Sequence, residues 1–406
     1  MQSFAQRQGH SYAGLEIIRG LAAATVVWCH VFLYRLAPPS EIAQLPGQYA
    51  TEAVICFFVL SGAVVTLSSP TAPSPRQNFK AYMLARALRI YPVYVGALAL
   101  SLLAAFATGA RIAPIQYFAH LAFLQSMTGW PAPPLEQDYA LWSLANEVLY
   151  YGLFAVSFFL RHFMLIWTGG TLILTLLIYP FAHDSSNGLV AYICFMGTLS
   201  APWLIGHWLV VLRASLPRIP VSLGLAIFAI GLAFARCNVT GGYYDPFRLD
   251  LFAACAGALM LSILQGSPKA TRSFLVSKAI IAAFAIALLW TTGSSLPLTR
   301  IALTMLAVFA VACPIEPLVR CAQGAAIWRP LVALGGISYA VYAVHLPLIF
   351  LIEGSPLPRP LKLLVFFVIL LAMAWMLEVA TLRIKGWVRS PSRRDSALAV
   401  LPKDAG

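Results

Sequence analysis

Ionisable side chains interrupt the long apolar stretches of this sequence at a few positions. The ones that stand out by residue type and spacing are Arg19, His30, Arg86, Arg89, Glu147 and His345. An ionisable group in an apolar environment is costly, so it marks a functional site by default. Imidazoles exchange protons near neutral pH, and arginine forks bind phosphates. These residue types therefore predict acid–base chemistry close to a site for an anion.

Two pairs have spacings that place both members on one helix face. Arg19 and His30 are eleven residues apart, which is three turns plus about 20° and about 16 Å along a helix axis. Arg86 and Arg89 share a face at i,i+3 spacing and suit recognition of a phosphate. A simpler interpretation stays open for each pair. In the first pair, the Arg19 side chain would extend to the membrane surface and His30 would hydrogen-bond to a neighbouring helix. In the second pair, Arg86 and Arg89 would be ordinary positive residues at the cytoplasmic end of a helix.

Polar residues also recur at i,i+4 spacing around Glu147. Ser143, Glu147 and Tyr151 lie on one helix face, so the spacing predicts a carboxylate directed into the protein. A buried carboxylate favours function over structure. Ser61 and Gly62 form a Ser-Gly step in an apolar helix, which is more typical of close helix packing than of chemistry.

A segment near the C-terminus repeats the pattern with Ser338, Tyr342 and His345 on one helix face. His345, His30 and Glu147 come from three predicted helices and fall at comparable depth. The arginine pair at 86 and 89 falls on the other side of the membrane midplane. The sequence therefore predicts a polar cavity with an anion-binding mouth on one side and acid–base groups nearer the other.

The elements that must position these residues are membrane-spanning helices. Hydrophobic residues make up 60% of the 406 and charged ones 10%, against about 25% charged in a soluble domain, which excludes a water-soluble globule. The apolar runs last about 20 residues, which excludes an outer-membrane β-barrel. We predict an all-α polytopic bundle of 10–12 helices. Twelve approximate spans fit: 15–36, 52–68, 82–107, 140–160, 163–181, 189–212, 219–235, 247–264, 274–292, 298–316, 330–352 and 361–384.

The basic residues predict the orientation of this bundle. The formal net charge is +13. With the N-terminus in the cytoplasm, 20 of the 27 Lys and Arg residues fall on the cytoplasmic side, as the positive-inside rule requires. The excess positive charge is therefore explained by cytoplasmic loops next to the membrane lipid. It does not indicate that the protein binds nucleic acid. Both termini are predicted to be cytoplasmic, with a membrane domain over 1–385 and a basic tail over 386–406. The seven cysteines form no CxxC pair, which argues against a metal site.

Five ordered motifs together resemble the acyltransferase-3 family of bacterial integral-membrane O-acyltransferases. They are Arg-x10-His at 19–30, Phe-Phe-Val-Leu-Ser-Gly at 57–62, Arg-x-x-Arg-Ile-Tyr-Pro at 86–92, Trp-Ser-Leu-x-x-Glu-x-x-x-Tyr at 142–151 and Ile-Ser-Tyr-x-x-Tyr-x-x-His at 337–345. Each motif is short, but their order on successive helices makes the set specific. One position departs from the family, because Ile55 stands where many members carry an acid. The acid that assists His30 would then come from Glu52 or Glu147.

The resemblance implies an enzyme of the bacterial inner membrane that uses no metal. It would transfer an acyl group, most often acetyl, from cytoplasmic acyl-CoA to a hydroxyl of a cell-surface or lipid-linked glycan. The implied catalytic residues are His30 as base, Arg19 as an orienting or stabilising group, and Glu147. Arg86 and Arg89 would bind the acyl-CoA. The implied substrate-binding residues are Ser61, Trp142, Tyr151, Ser338, Tyr342 and His345.

Other functions remain open on the sequence alone. His30, Glu147 and His345 could form the relay of a proton-coupled secondary transporter, although no internal repeat is evident. A non-catalytic export or scaffold subunit would tolerate loss of His30. For an acyltransferase we expect direct transfer rather than a covalent intermediate on Ser61. A requirement for acyl-CoA separates the enzyme from the transporter.

Overall fold

The computed structural model describes residues 4–34, 36–37, 46–111, 113–183, 185–237, 245–266 and 328–389, with separate positions between 279 and 308. The described helices longer than one turn are α1 (Phe4–Leu33), α2 (Ala50–Leu67), α3 (Pro75–Thr108), α4 (Pro114–Leu121), α5 (Trp142–Val156), α6 (Phe163–Ala182), α7 (Gly188–Leu212), α8 (Val221–Cys237), α9 (Pro246–Gln265), α10 (Arg329–Glu353) and α11 (Arg359–Arg389). Short 3₁₀ helices at Pro46–Tyr49 and Glu136–Leu141 precede α2 and α5.

These helices confirm the predicted all-α membrane bundle. Eight of those described are long and apolar enough to cross a bilayer, namely α1, α2, α3, α6, α7, α9, α10 and α11. Helix α5 has 15 residues and α8 has 17. The eight residues of α4 cover about 12 Å, too little to span. The predicted spans 274–292 and 298–316 fall largely outside the described residues.

Helix α3 begins seven residues earlier than the predicted span at 82. Its first residue is Pro75, and Ser74 is the N-cap residue in extended conformation. Proline suits the first helical position because its φ is already helical and its missing N–H would have no intrahelical partner. The early start adds two turns to α3 ahead of the arginine pair at 86 and 89.

Helices α1 and α10 cross in contact at two glycines. A Cβ atom on Gly335 would lie 2.1 Å from the carbonyl oxygen of Glu16, and one on Gly20 would lie 2.9 Å from the Gly335 nitrogen. Such small residues let the two backbones touch. The contact holds the helix with Arg19 and His30 against the helix with Ser338, Tyr342 and His345.

A second glycine pair joins α2 to α7. A Cβ atom on Gly62 would lie 2.0 Å from the carbonyl oxygen of Trp203, and one on Gly206 would lie 2.0 Å from that of Val59. The prediction that the Ser-Gly step is a packing feature is therefore confirmed. The same contact places Ser61, the neighbour of Gly62, at a fixed depth in the bundle.

The Gly62→Ala variant is expected to lose about 1–3 kcal/mol of stability, because the new methyl group overlaps backbone that cannot move away cheaply. The measurement is the thermal midpoint of the detergent-solubilised protein. Gly152→Ala is the matched control, since a Cβ atom there meets nothing within 4 Å. Its midpoint should stay the same or rise. Equal midpoints for the two variants would contradict the packing described here.

Candidate active site

A cavity of about 510 Å³ lies among α1, α2, α3, α5 and α10, with one lining residue from α11. Its volume is in the range of small-molecule sites. Four cationic residues line one end, which we call the basic end: Arg19, Arg86, Arg89 and Lys385. Ser143 and Tyr342 line the other end, which we call the hydroxyl end. Tyr151 lies at the basic end, with its ring 5.6 Å from the Arg86 guanidinium. It is eight residues from Ser143 on α5, so the two ends are about 12 Å apart along that helix.

Two of the arginines at the basic end are already paired with carboxylates. Arg19 Nη1 lies 2.5 Å from Glu16 Oε1 on the same helix. Arg89 Nη1 donates to both carboxylate oxygens of Glu378 on α11, at 2.8 and 3.0 Å. Their charges are therefore largely balanced within the protein, and the Arg89 pair ties α3 to α11.

Arg86 differs from these two arginines, because it forms no ion pair with any described residue. Its Nη2 donates to Ser68 Oγ at 2.9 Å, and its guanidinium lies 5.5 Å from the Tyr82 ring centre and 5.6 Å from that of Tyr151. Its Nε is buried without a hydrogen-bond partner. A guanidinium held in place by two rings, with its charge not balanced, is suited to an anionic ligand.

Glu147 lines the cavity between its two ends and is held by two hydroxyls. Ser61 Oγ donates to Glu147 Oε1 at 2.7 Å, and the Tyr151 hydroxyl donates to the same oxygen. Trp203 Nε1 lies 3.3 Å from Ser61 Oγ as a donor. Since a serine hydroxyl has a single proton, that of Ser61 is committed to a carboxylate. This arrangement fixes the carboxylate rather than exposing the serine as a nucleophile.

Hydroxyl groups meet at the end of the cavity opposite the arginines. Ser143 Oγ and the Tyr342 hydroxyl are 2.7 Å apart, and the Tyr342 hydroxyl donates to the Ala140 carbonyl at 2.9 Å. Ser338 also lines the cavity, but its hydroxyl donates to the Gly335 carbonyl at 2.6 Å. Ser143 Oγ also donates to the Ala140 carbonyl at 3.3 Å, so all three hydroxyls donate to backbone carbonyls in the structure. Tyr342 and Ser143 are candidates for stabilising a developing oxyanion once their protons turn away from Ala140.

The two intramembrane histidines form a hydrogen-bonded pair. His345 Nε2 lies 2.9 Å from His30 Nδ1, and their ring centres are 5.0 Å apart. Neither residue lines the cavity. Tyr342 lies between the cavity and the pair, since its ring is 5.7 Å from cavity-lining Phe57 and 5.8 Å from His345. The pair thus begins where the hydroxyl end of the cavity stops.

The structure brings most of the predicted site residues together. Eight of them line the cavity with the basic and hydroxyl ends, namely Arg19, Ser61, Arg86, Arg89, Glu147, Tyr151, Ser338 and Tyr342. His30 and His345 lie beyond Tyr342. The resemblance places Arg19 at the same site as His30, but the structure separates them. The two are eleven positions apart on α1, and Arg19 is held by Glu16 at the basic end.

Trp142 does not take the predicted substrate-binding position. It is 2% exposed and lies outside the cavity, with its ring 5.5 Å from that of Phe195. Its neighbour Ser143 does line the cavity. Consecutive residues on a helix differ by about 100° in direction, so Trp142 is directed toward α7 instead.

Several residues of the site were not among the sequence predictions. Glu16 could have been found from its i,i+3 spacing to Arg19. The pairing of Glu378 with Arg89 depends on how α3 and α11 assemble, which local spacing does not report. Lys385 lies within the last three turns of α11, and only the assembled bundle places it at the cavity.

Glu52, one of the two acids considered as a partner for His30, lines a different cavity. That second cavity has a volume of about 320 Å³, is mostly apolar and lies among α1, α2, α8 and α9. Glu147, the other acid, is bound by Ser61 and Tyr151. The side-chain hydrogen-bond partner of His30 is instead His345, and the His30 ring also has a backbone partner at Val26.

Comparison with known families identifies the region that holds this cavity. A family model described as an acyltransferase domain matches residues 12–379, which include every residue of the cavity except Lys385. No curated protein and no solved structure matches the chain.

Proposed function

Because this chain belongs to the acyltransferase-3 family, we propose that it is an O-acyltransferase of the bacterial inner membrane. Its donor is a cytoplasmic acyl-CoA, with acetyl as the first candidate for the acyl group. Its acceptor is a hydroxyl of a cell-surface or lipid-linked glycan. Both termini and the basic end of the cavity face the cytoplasm. Family membership carries the acyltransferase activity, and the charge and shape of the cavity support this donor.

The observation that carries the proposal is the polarity of the cavity along its length. Its basic end offers Arg86, which forms no ion pair with a described residue, and Tyr342 at its hydroxyl end contacts His345 of the histidine pair. A coenzyme A thioester has the same polarity, since its phosphates are at one end and its reactive carbonyl is at the other. Phosphates at Arg86 and a thioester at Tyr342 place the carbonyl next to the acid–base groups.

The apolar middle of the cavity suits the narrow chain that joins the phosphates of the donor to its thioester. Its walls include Val54, Phe57, Phe58, Val64 and Val65 from α2. Such walls exclude water, which protects a thioester from hydrolysis and strengthens the electrostatic interactions around it. The acceptor reaches the hydroxyl end from the opposite side of the membrane.

The residues beyond the cavity supply the base for direct transfer. His30 takes the proton of the acceptor hydroxyl as the oxygen attacks the thioester carbonyl. Tyr342 and Ser143 turn their protons away from the Ala140 carbonyl and donate hydrogen bonds to the thioester carbonyl oxygen as it becomes negative. The C–S bond then breaks, the new ester forms, and the CoA thiolate receives the proton that His30 has taken.

The Ser61→Ala variant is expected to keep most of its activity, because the serine proton is committed to Glu147 and no imidazole of the described residues hydrogen-bonds to Ser61. The variant loses the bonds of Ser61 to Glu147, Tyr151 and Trp203, but Tyr151 still holds the carboxylate. A net hydrogen bond contributes about 1 kcal/mol, so we expect kcat to fall by about tenfold or less. Two quantities are measured. One is kcat, and the other is the radioactivity that remains bound to the protein when the reaction with radiolabelled donor is quenched in acid. Radioactive protein that disappears in the variant would contradict direct transfer.

The test of the function is a transfer assay on purified protein in nanodiscs. Radiolabelled acetyl-CoA, and then succinyl-CoA, is incubated with the protein with and without a crude glycan extract. We expect label on the glycan only when protein and donor are both present. A folded protein that neither binds nor consumes any acyl-CoA would contradict the proposal, and the transporter with an intramembrane His and Glu relay would take its place.

A further inference from the structure

We propose that His345 is a positioning residue that keeps the proton of His30 on Nδ1 and leaves Nε2 of His30 as the basic nitrogen. The inference rests on the proposed function for its effect on rate. Its structural content, the protonation of one imidazole, stands apart from that function and can be measured without substrate.

The direction of the hydrogen bonds follows from the backbone carbonyl at the far end of the chain. His345 Nδ1 lies 2.6 Å from the Tyr342 carbonyl oxygen. A carbonyl oxygen can only accept, so His345 Nδ1 bears a proton. In the neutral ring, the other nitrogen is then an acceptor. His345 Nε2 lies 2.9 Å from His30 Nδ1, which must therefore donate its own proton.

This chain of bonds determines which nitrogen of His30 is free to act. A neutral imidazole has one protonated nitrogen, and in His30 that nitrogen is Nδ1. The lone pair is on Nε2. His345 is completely buried, whereas His30 keeps 8% of its surface exposed. His30 is therefore the member of the pair that keeps some exposed surface.

The register of α1 and α10 holds the two rings together. Gly20 and Gly335 touch at the crossing of the helices, and each histidine follows its glycine by ten residues. Both helices therefore advance by the same distance of about 15 Å from the glycine contact to the histidine pair. This parallel arrangement makes the pair a consequence of the backbone packing.

A histidine in this position avoids a charge that an acid would bring into the membrane. Among the described residues, neither imidazole forms an ion pair. A carboxylate partner would accept the same hydrogen bond, but its negative charge is expensive at this depth. His345 accepts the bond while neutral. When Nε2 of His30 takes a proton, the bond to His345 also stabilises the resulting imidazolium.

The activity test compares two amides at position 345. In His345→Gln, the amide oxygen reaches the position of Nε2 and can accept from His30. In His345→Asn, the amide matches only Nδ1, so it keeps the bond to the Tyr342 carbonyl and loses His30. We expect kcat of the Asn variant to fall at least about 100-fold, with the donor KM within about twofold, because a base held in the wrong tautomer can lose as much as 10⁴-fold.

The Gln variant is expected to stay within about tenfold of wild type. The matched control is His207→Asn, because His207 Nδ1 is bonded to Thr66 Oγ1 at 2.8 Å and does not line the cavity. Its kcat should be unchanged in the folded protein. Equal kcat values for the Gln and Asn variants at position 345, whether high or low, would overturn the proposal.

A substrate-free readout separates this inference from the proposed function. Solid-state NMR of protein labelled with ¹⁵N-histidine, with His30→Asn to assign the signals, distinguishes the protonated nitrogen of His30 from the unprotonated one. We expect Nδ1 to be protonated and Nε2 not. A proton found on Nε2 in the resting protein would overturn the proposal. If wild type transfers no acyl group, the proposed function fails while this result still decides the role of His345.

Discussion

Replacing His30 with asparagine is expected to abolish acyl transfer in a protein that remains folded. A positioned general base contributes about 10²–10⁴-fold to rate, and we expect kcat to fall by that factor or more with the donor KM nearly unchanged. The asparagine amide can donate to His345 Nε2 in place of His30 Nδ1, so the helix contact is retained. His30→Ala should be equally inactive and less stable, because it leaves His345 without that donor.

The measurement is the transfer rate with saturating radiolabelled acyl-CoA, together with the thermal midpoint of each variant. His183→Asn is the matched control, since His183 is exposed and lies outside the cavity. It should match wild type in both quantities. Normal transfer by a folded His30→Asn protein would remove His30 from the chemistry and leave the cavity without its base.

Replacing Arg86 with alanine is expected to raise the KM for acyl-CoA by about 10–100-fold and to leave kcat within a fewfold of wild type. A hydrogen bond to a charged group contributes about 1.5–3 kcal/mol, and each 1.4 kcal/mol is tenfold in affinity. Arg86 is the arginine of the basic end that forms no ion pair with a described carboxylate. It should therefore contribute more to donor binding than Arg89, which Glu378 already pairs.

The donor KM is measured for Arg86→Ala, Arg86→Lys and Lys80→Ala. The lysine variant should lie between wild type and alanine, because it keeps the charge and loses the planar fork. Lys80 is exposed on the same helix and does not line the cavity, so Lys80→Ala should resemble wild type. A donor KM that shifts equally in the Arg86→Ala and Lys80→Ala variants would show that general surface charge, rather than a specific site, attracts the donor.

Local spacing predicted the faces of helices well and the partners of side chains poorly. Ser143, Glu147 and Tyr151 all line the cavity, because i,i+4 spacing places residues on one face whatever the helix packs against. The similar depths of His30 and His345 anticipated their proximity. The bond between Arg89 and Glu378 joins residues 289 positions apart, and only the assembled bundle determines it.

Arg19 and His30 show that two residues on one helix face need not belong to the same part of a site. The two residues share a face of α1, yet Arg19 lines the basic end while His30 lies beyond Tyr342. A cavity need not follow one helix for its whole length. Here the side chain of Tyr342, from α10, interrupts it. The helical repeat predicts the direction in which a side chain leaves its helix axis. How far a cavity extends along that helix depends on side chains from other helices.

The most direct test of the account places donor and acceptor on opposite sides of a membrane. Proteoliposomes containing the protein are loaded with an acceptor glycan, and radiolabelled acyl-CoA, which does not cross the bilayer, is added outside. Protein molecules whose basic end faces outward can then transfer the acyl group across the membrane. We expect labelled glycan in the lumen, and none when the glycan is supplied only outside. Label that appears only when both substrates are on the same side would contradict the account.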